Sequence, residues 1–403
     1  MPIYNSNNAG GFMGPEPRYV GTHDVTNPIA EMTYNKTLGT NTRLLSNIYT
    51  EITPTFLKGL KYRFDYGYDY ILANASTWIP IYELPINGNR GHNYNELTES
   101  SSRNRRWNIT NTLTYNTSFG TAEEGASKPH NLLVMVGQEA MADDGKTFSA
   151  TGLKFSDENY NVLDMADSGR YPKGSVSSYR LYSYLFRGMY DYKGKYLLTI
   201  NVRNDVSSKF GPKNRSGWFP SFSLGWKFNE DFLQDYKDKI TMAKVRVGWG
   251  QTGNDNIRNY AYAAFFDPPD HARYPLGIGQ VNNYGMQLYS SFENPYVKWE
   301  ATTMTNFGLD VSLFENKIQF TGEYYIKTQD GMLVQNPMPI AAGRLPVANP
   351  WVNLGKIQNK GFEFNVLYRK QEGDFNYSVN LNLTTIRNKV LDLPAGSLLN
   401  TIG

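Results

Sequence analysis

One short motif in this 403-residue sequence has the spacing of a nucleotide-binding loop. The segment Gly248–Gly253 satisfies the G-x-G-x-x-G pattern, and apolar residues at alternate positions before it indicate a strand. Such a loop binds a pyrophosphate only when a helix begins directly after it and points its N-terminus at the phosphates. Here the chain continues into Asn254-Asp255-Asn256 and then Pro268-Pro269, which disfavours a helix. The motif is therefore interpreted as a strand that runs into a loop.

Histidines and carboxylates form no recognisable metal or catalytic pattern. The segments Asp143-Asp144-Gly145 and Asn254-Asp255-Asn256 could offer oxygens to calcium, but neither continues into an EF-hand loop. A G-x-S-x-G nucleophile motif is also absent. The sequence predicts that the protein is not an enzyme and has no metal or cofactor. The four histidines, which are far apart, are His23, His92, His130 and His271.

Five aromatic residues lie in or beside long polar stretches, where a flat apolar ring next to Asn and Arg could stack on a sugar or hold a peptide. They are candidates for ligand contact, beside the alternative of a purely structural role. The five are Trp78, Tyr82, Tyr94, Trp299 and Trp351.

Charge and composition exclude several classes of protein. Because 40 basic residues are nearly matched by 37 acidic ones, the net charge of +3 gives no reason to expect nucleic acid as a partner. Disulfides and thiolate chemistry are excluded because the sequence contains no Cys. No stretch approaches the roughly 18 consecutive apolar residues of a transmembrane helix, a test that alternating barrel strands would escape. The first residues do not resemble a signal peptide, so a membrane location requires a longer parent chain.

The elements that must position these residues are strands. Residues 61–70 read KYRFDYGYDY, which puts Tyr and Phe on one face of a strand and all four charged residues on the other. A soluble sandwich would bury the aromatic face in a core, whereas an outer-membrane barrel would turn it to lipid and line an aqueous interior with the charges. The pattern predicts roughly twelve strands of about ten residues each. It recurs at residues 107–115, 221–228, 306–313, 318–327 and 375–383.

The connections between these strands alternate between compact and long. Compact links are expected near residues 58–59, 119–130, 191–195, 229–241, 315–316 and 370–374, and long polar loops near 74–105, 142–178, 250–300 and 328–360. Short turns at one end of a sheet and long loops at the other are typical of outer-membrane barrels. The sequence therefore favours an all-β, antiparallel transmembrane barrel. The alternatives are a soluble extracellular sandwich or propeller that binds carbohydrate, and a passive porin-like channel.

Several segments resemble the SusC/RagA family of TonB-dependent outer-membrane transporters of Bacteroidota. The resemblance covers residues 40–393 and keeps the order of the family's motifs. The segments that carry it include RNDVSSKFG at 203–211, GWFPS at 217–221, VRVGWGQTGN at 245–254 and NLGKIQNKGFE at 353–363.

The resemblance implies both an architecture and a function. Family members carry a plug domain and close a barrel of about 22 strands, so this chain is expected to be an internal piece with about half of that barrel. Residues 1–40 are expected to be an extracellular-loop-like segment, and residues 41–403 a partial barrel without the plug. The implied function is uptake of an oligosaccharide or peptide across the outer membrane. The implied partners are a SusD-like surface lipoprotein and the TonB complex, the latter through the missing N-terminal region.

Alternation and this resemblance together assign side chains to the two sides of the barrel wall. The side chains expected to face the aqueous lumen are Arg63, Asp65, Asp310, Glu323 and Lys327. Those expected to face lipid or its interfaces are Tyr62, Phe64, Tyr66, Tyr68, Tyr70, Phe320 and Tyr324.

Overall fold

The computed structural model describes residues 28–82, 94–121, 128–263, 266–267, 273–275, 282–284, 287–288, 293–336, 349–371 and 373–393. Most of these residues are in β-strands. Among them no helix is long and apolar enough to cross a membrane. The elements are α1 (Pro28–Tyr34), β1 (Lys36–Ile52), β2 (Leu60–Ile79), β3 (Glu96–Phe119), β4 (His130–Phe155), β5 (Ala166–Tyr192), β6 (Tyr196–Ser207), β7 (Ser216–Lys227), α2 (Asn229–Phe232), β8 (Ile240–Asn254), β9 (Phe266–Asp267), β10 (Arg273–Pro275), β11 (Asn282–Tyr284), β12 (Gln287–Leu288), β13 (Glu300–Leu313), β14 (Ile318–Gln335), β15 (Trp351–Lys370) and β16 (Tyr377–Asp392), with short 3-10 turns at Leu163–Met165 and Gln234–Tyr236.

Twelve long strands form one sheet in which each strand is hydrogen-bonded to the next long strand along the chain. The order is β1-β2-β3-β4-β5-β6-β7-β8-β13-β14-β15-β16. From β5 onward every described register between these strands is antiparallel. The short strands form two further pairs, β10 with β11 and β9 with β12. This up-and-down order confirms the predicted all-β antiparallel fold.

The described residues fall into two compact units. The first takes in residues up to Asn47, Gly67–Trp107 and Ala142–Ser178, and it contains a small core of Trp78, Leu97, Phe155 and Ala166. The second takes in Ile48–Tyr66, Asn108–Met141 and the chain from Tyr179 onward. Its core is the cluster of Phe210, Ile257, Ala261 and Val297.

The strands are longer than the sequence predicted, and several loops are correspondingly shorter. The long strands contain 12 to 27 residues, against the expectation of about ten. The predicted loop at 142–178, for example, holds the end of β4 and the beginning of β5, which are separated only by residues 156–165. Both faces of these strand ends carry polar residues, so the period-2 signal on which the prediction depended is absent there.

All of the predicted compact links coincide with connections between consecutive strands. In the tight turn between β5 and β6, Gly194 adopts a φ of 68°, and its N–H donates to Asp191 Oδ1. The predicted strict alternation of short and long connections fails between β6 and β7, where a short link of residues 208–215 stands in place of a long loop. This link is closed by the fully buried Phe210 and by a 3.0 Å hydrogen bond from Ser207 N to Arg215 O.

In the second unit the strand registers separate two kinds of side chain onto opposite faces of the sheet. Residues paired across strands share a face, as do residues two apart along one strand. We name these the aromatic face and the charged face. The aromatic face is defined by Phe222, Trp249, Val247, Phe307, Tyr324, Phe320, Phe362, Phe364 and Leu383, and the charged face by Lys244, Arg246, Asp310, Glu323, Lys327 and Asn365.

Candidate functional site

A three-membered ion-pair cluster lies on the charged face across β8, β13 and β14. Arg246 Nε lies 3.2 Å from Asp310 Oδ2, and Arg246 Nη2 lies 2.7 Å from Glu323 Oε2. The side chains are one fifth to one third exposed. Because one guanidinium meets two carboxylates, the cluster carries a net negative charge.

A glycine makes this arrangement possible. Gly308 on β13 is the register partner of both Arg246 on β8 and Glu323 on β14, so it lies directly between them. A Cβ placed on Gly308 would lie 2.6 Å from Cζ and Nε of Arg246. The missing side chain therefore leaves the space through which the guanidinium crosses β13 and reaches the next strand.

The structure brings the predicted lumen residues Asp310 and Glu323 together around Arg246. Lys327 lies farther along the charged face of β14, in register with Met304 and Asn359. Arg63 and Asp65 form a separate pair on β2, with 2.7 Å between Arg63 Nη2 and Asp65 Oδ1. That these residues face a lumen stays a prediction.

Sequence reasoning missed Arg246 and also a second cluster around Arg203. The Arg203 guanidinium lies 2.6 Å from Asp205 Oδ1 and 3.0 Å from Glu139 Oε2, and it donates to Ser183 Oγ at 3.0 Å. The Arg-x-Asp spacing on β6 was a usable signal, since residues two apart in a strand share a face. The contribution of Glu139 depends on sheet order and was not readable locally.

The predicted lipid-facing residues divide between the two units. Phe320 and Tyr324 lie on the aromatic face, where the Tyr324 ring packs 4.6 Å from that of Phe362. In the same unit Tyr62, Phe64 and Tyr66 alternate along β2, and the Tyr62 hydroxyl donates to Asn111 Oδ1 at 2.7 Å. In the first unit Tyr68 and Tyr70 continue that alternation. Contact with lipid stays a prediction for all seven residues.

Most of the five loop aromatics are packed into clusters. In the first unit Trp78 is buried with its ring 5.2 Å from Phe155, Tyr82 is buried and stacks on Tyr34, and Tyr94 is 39% exposed.

In the second unit Trp299 lies between Phe210 and Phe219, and its Nε1 donates to Arg215 O at 2.9 Å. Trp351 packs on the same cluster as Phe210. Trp78 and Tyr82 are buried and Trp299 and Trp351 are partly buried, so packing explains these four rings as anchors of loops and strand ends. Ligand contact stays a prediction that Tyr94 fits best.

The glycine-rich motif lies inside β8, and its glycines have a packing explanation. A Cβ on Gly250 would lie 2.8 Å from Ser221 Cβ, and one on Gly253 would lie 2.0 Å from Phe219 Cζ. These glycines make room for side chains of the neighbouring β7. No helix begins in residues 255–263, which directly follow the motif and form bends and turns.

Within the described part of the chain, no group of three or more potential ligands could hold a metal ion. The acidic segments that could have offered oxygens to calcium are paired instead. Asp143 pairs with Arg106 in the first unit, and Asp255 in the second accepts hydrogen bonds from the Tyr179 and Ser207 hydroxyls at 2.8 and 2.7 Å. His130 Nδ1 lies 2.7 Å from the Tyr190 hydroxyl. The other three histidines lie outside the described residues.

Comparisons with known proteins agree on one family. The family model described as "TonB dependent receptor-like, beta-barrel" matches residues 3–401. TonB-dependent receptor P3 of Formosa agariphila is 29% identical over 381 residues, which are 93% of this chain and 35% of that receptor. TonB-dependent receptor SusC of Bacteroides thetaiotaomicron is 27% identical over 399 residues, 97% of this chain and 37% of that protein.

A solved structure of the RagAB peptide transporter has the same fold. It matches with a TM-score of 0.79 at 24% identity, over 96% of this chain and 40% of the transporter chain. The chain thus spans little more than a third of the length of the relatives it matches.

Proposed function

Since this chain belongs to the TonB-dependent receptor-like β-barrel family, we propose that it supplies part of the wall and the loops of a transporter that imports a bulky nutrient. The barrel lies in the outer membrane, as do those of its relatives in Bacteroidota. Those relatives are receptors and transporters, and the chain is not an enzyme. Membership in the family excludes the soluble sandwich or propeller.

The exposed aromatic face is the observation that supports this proposal. Phe307 and Phe362 each keep 48% of their surface exposed, and Phe222 keeps 41%. Such a continuous apolar surface on a strand face is unfavourable in water and fits contact with lipid acyl chains. The opposite face, with its ion pairs and amides, then borders the aqueous interior.

The charged clusters determine the sign of the charge on the interior face of the sheet. The Arg246 and Arg203 clusters each pair one guanidinium with two carboxylates, so both present net negative charge toward the plug domain or the solute. Their internal ion pairs hold the carboxylates in place. We expect them to favour cationic side chains of the plug or of a peptide.

The substrate and the partner follow from relatives only by analogy. RagAB is described as a peptide importer, and peptide is accordingly one of the two proposed substrate classes. Oligosaccharide is the other, as the resemblance of the sequence motifs to the SusC/RagA family implies. A SusD-like lipoprotein that covers the extracellular loops, and the TonB complex acting through the N-terminal part of the parent protein, are the proposed partners.

Uptake by the full-length parent protein tests the proposal. Cells with the genes of the parent protein and of its proposed lipoprotein partner, and cells lacking either gene, are given fluorescent peptides and oligosaccharides too large for porins. We expect saturable uptake of one class that requires both genes and stops when TonB or the proton-motive force is removed. Uptake that survives loss of TonB would instead identify a passive channel.

A further inference from the structure

Two lysines oppose each other on the charged face, at the turn end of the sheet. Lys227 on β7 and Lys244 on β8 are direct register partners, and both strands lie inside the sheet with a neighbour on each side. Both residues are half-buried, and like charges directly opposite each other in a sheet are destabilising. In the part of the chain that the structure describes, neither lysine has a carboxylate within 4.0 Å. Asp310, the register partner of Lys244 on β13, is already paired with Arg246. The two charges are therefore unbalanced.

A depression of about 280 Å³ lies beside these lysines on the same face. Its apolar lining includes Leu133, Met189 and Leu197, and Met189 is 42% exposed. Leu197 is the register partner of Gly225 on β7. A Cβ placed on Gly225 would lie 3.5 Å from Leu197 Cβ and 3.3 Å from Lys244 Cε, so Lys244 and the depression border the same glycine. The charged face thus has an exposed apolar depression next to two unbalanced cations.

The Lys227 amine reaches the turn between β5 and β6, at the edge of the depression. Its Nζ lies 3.9 Å from a Cβ placed on Gly194. Asp191 in this turn also lines the depression, but its Oδ1 accepts the N–H of Gly194 and it forms no ion pair with Lys227 among the described residues. Both lysines therefore border the depression, and the carboxylate that lines it is engaged in the turn.

A part of the parent protein outside residues 1–403 fits this surface better than a solute does. Under the proposed function the charged face borders the interior of the barrel, which is reached by the polypeptide itself and by the transported molecule. A docked segment offsets the opposed lysine charges at all times, whereas a solute leaves them opposed between transport events. This chain spans little more than a third of the length of its relatives, so enough polypeptide lies outside it to supply such a segment.

We infer that Lys227, Lys244 and the depression form a docking site for a segment of the parent protein in which an Asp or Glu lies next to a bulky apolar residue. The carboxylate lies between the two lysine amines, which donate charge-assisted hydrogen bonds to it. The apolar side chain fills the depression over Met189 and Leu197. The inference rests on the proposed function only for placing the charged face inside the barrel.

Zero-length crosslinking of the purified full-length protein tests this inference separately from transport. A carbodiimide joins a lysine amine to a carboxylate only when the two groups are in contact, and mass spectrometry of the digested protein identifies the joined residues. Lys195 is the internal positive control, because its Nζ lies 2.7 Å from Asp231 Oδ1.

Two variants separate the charged and the apolar part of the site. Lys227→Gln/Lys244→Gln removes both amines, and Met189→Gln makes the depression polar at nearly the same side-chain size. The matched control is Met304→Gln, which changes another exposed Met of the charged face, away from the depression.

We expect Lys227 or Lys244 to be joined to a carboxylate outside residues 1–403, and the double variant to lose this product while it keeps the control product. Met189→Gln should lower the yield of the product at least threefold, and Met304→Gln should leave it unchanged. Products only with carboxylates within residues 1–403, such as Glu123, or no product while the control product forms, would overturn the inference. Equal yields in Met189→Gln and wild type would overturn the role of the depression. Loss of uptake with the crosslink intact would count against the proposed function alone.

Discussion

Replacing Gly308 by Ala tests whether the Arg246 cluster depends on the space that the missing side chain leaves above β13. The three atoms closest to a Cβ at this position all belong to Arg246, and two of them are 2.6 Å away. The guanidinium must therefore move, and its hydrogen bond to Glu323 across β13 is the contact most directly affected. We expect the Gly308→Ala protein to unfold at a lower denaturant concentration than the wild type.

The expected magnitude follows from two opposing effects. Forcing an extra methyl into an occupied space costs about 1–3 kcal/mol, and removing a strand glycine returns about 0.5–1 kcal/mol. The free energy of unfolding should fall by up to about 2 kcal/mol, because the two effects partly cancel and the displaced Cζ and Nε belong to the flexible end of Arg246. In an Arg246→Ala background the obstacle is gone, so the same substitution should be neutral or slightly stabilising. A coupling of about 2 kcal/mol between the two positions is expected.

The assay is the midpoint of chemical unfolding of the full-length protein in one detergent, followed by tryptophan fluorescence. Gly248→Ala is the matched control, because it adds the same methyl on β8 next to Arg246 but meets only Phe222 O, at 4.0 Å. We expect that control to be near the wild type. If Gly308→Ala costs the same with and without Arg246, the crossing of β13 by the guanidinium does not limit stability and our explanation of this glycine is wrong.

Three further predictions concern the two faces, the loop core and the turn end. Phe320→Arg should destabilise the inserted protein by about 2–4 kcal/mol if the site lies mid-bilayer. Thr321→Arg, one residue along on the charged face, should not destabilise it. The measurement is the fraction of folded, heat-modifiable protein, and equal losses in the two variants would contradict the assigned faces. Trp299→Ala should destabilise the loop core by about 3 kcal/mol, because the ring packs on Phe210 and Phe219, and should speed cleavage of the loops by added protease, while Tyr296→Ala at an 82% exposed position serves as the neutral control. At the turn end, hydrogen bonds from Lys195 and then Trp226 lower the pKa of Asp231, and the hydrogen bond to Asp231 raises the pKa of Lys195. The contribution of Asp231 to the free energy of unfolding should therefore be complete above its ordinary pKa near 3.8 and should be lost as the pH falls through the lowered pKa. The contribution of Lys195 should be complete below its ordinary pKa of 10.5 and should be lost only as the pH rises through the raised pKa. Thermal unfolding between pH 2 and 6 should show a smaller loss of stability on the acid side for Asp231→Asn than for the wild type, and parallel curves for the two proteins would contradict the prediction.

The part of the fold that was predictable from the sequence is the part encoded by short-range alternation. Residues 318–327 alternate except at Gly322 and Tyr325, so the opposite faces of Phe320 and Glu323 were readable without any partner strand. The compact links were readable for the same reason, because turn residues such as Lys58-Gly59 interrupt the alternation. Prediction failed where alternation stops, as in the polar ends of β4 and β5.

The packing of most loop aromatics against other rings was not predictable from sequence. Trp299 has Asn, Lys and Glu near it in the chain, which is a pattern equally typical of an exposed ring that contacts ligand. Its actual surroundings, Phe210 and Phe219, come from β7 and from the link before it, far away in the sequence. Only the folded chain could bring those rings together.

The sequence by itself determined that this chain is an antiparallel sheet with one aromatic and one charged face, because side-chain direction in a strand depends only on whether a position is odd or even. Tertiary structure alone decided which charges meet. Arg246 finds Asp310 and Glu323 because the register of β8, β13 and β14 aligns them and because Gly308 leaves the space between them. Register is a property of several strands at once, since it is determined by hydrogen bonds and packing between segments that lie far apart along the chain.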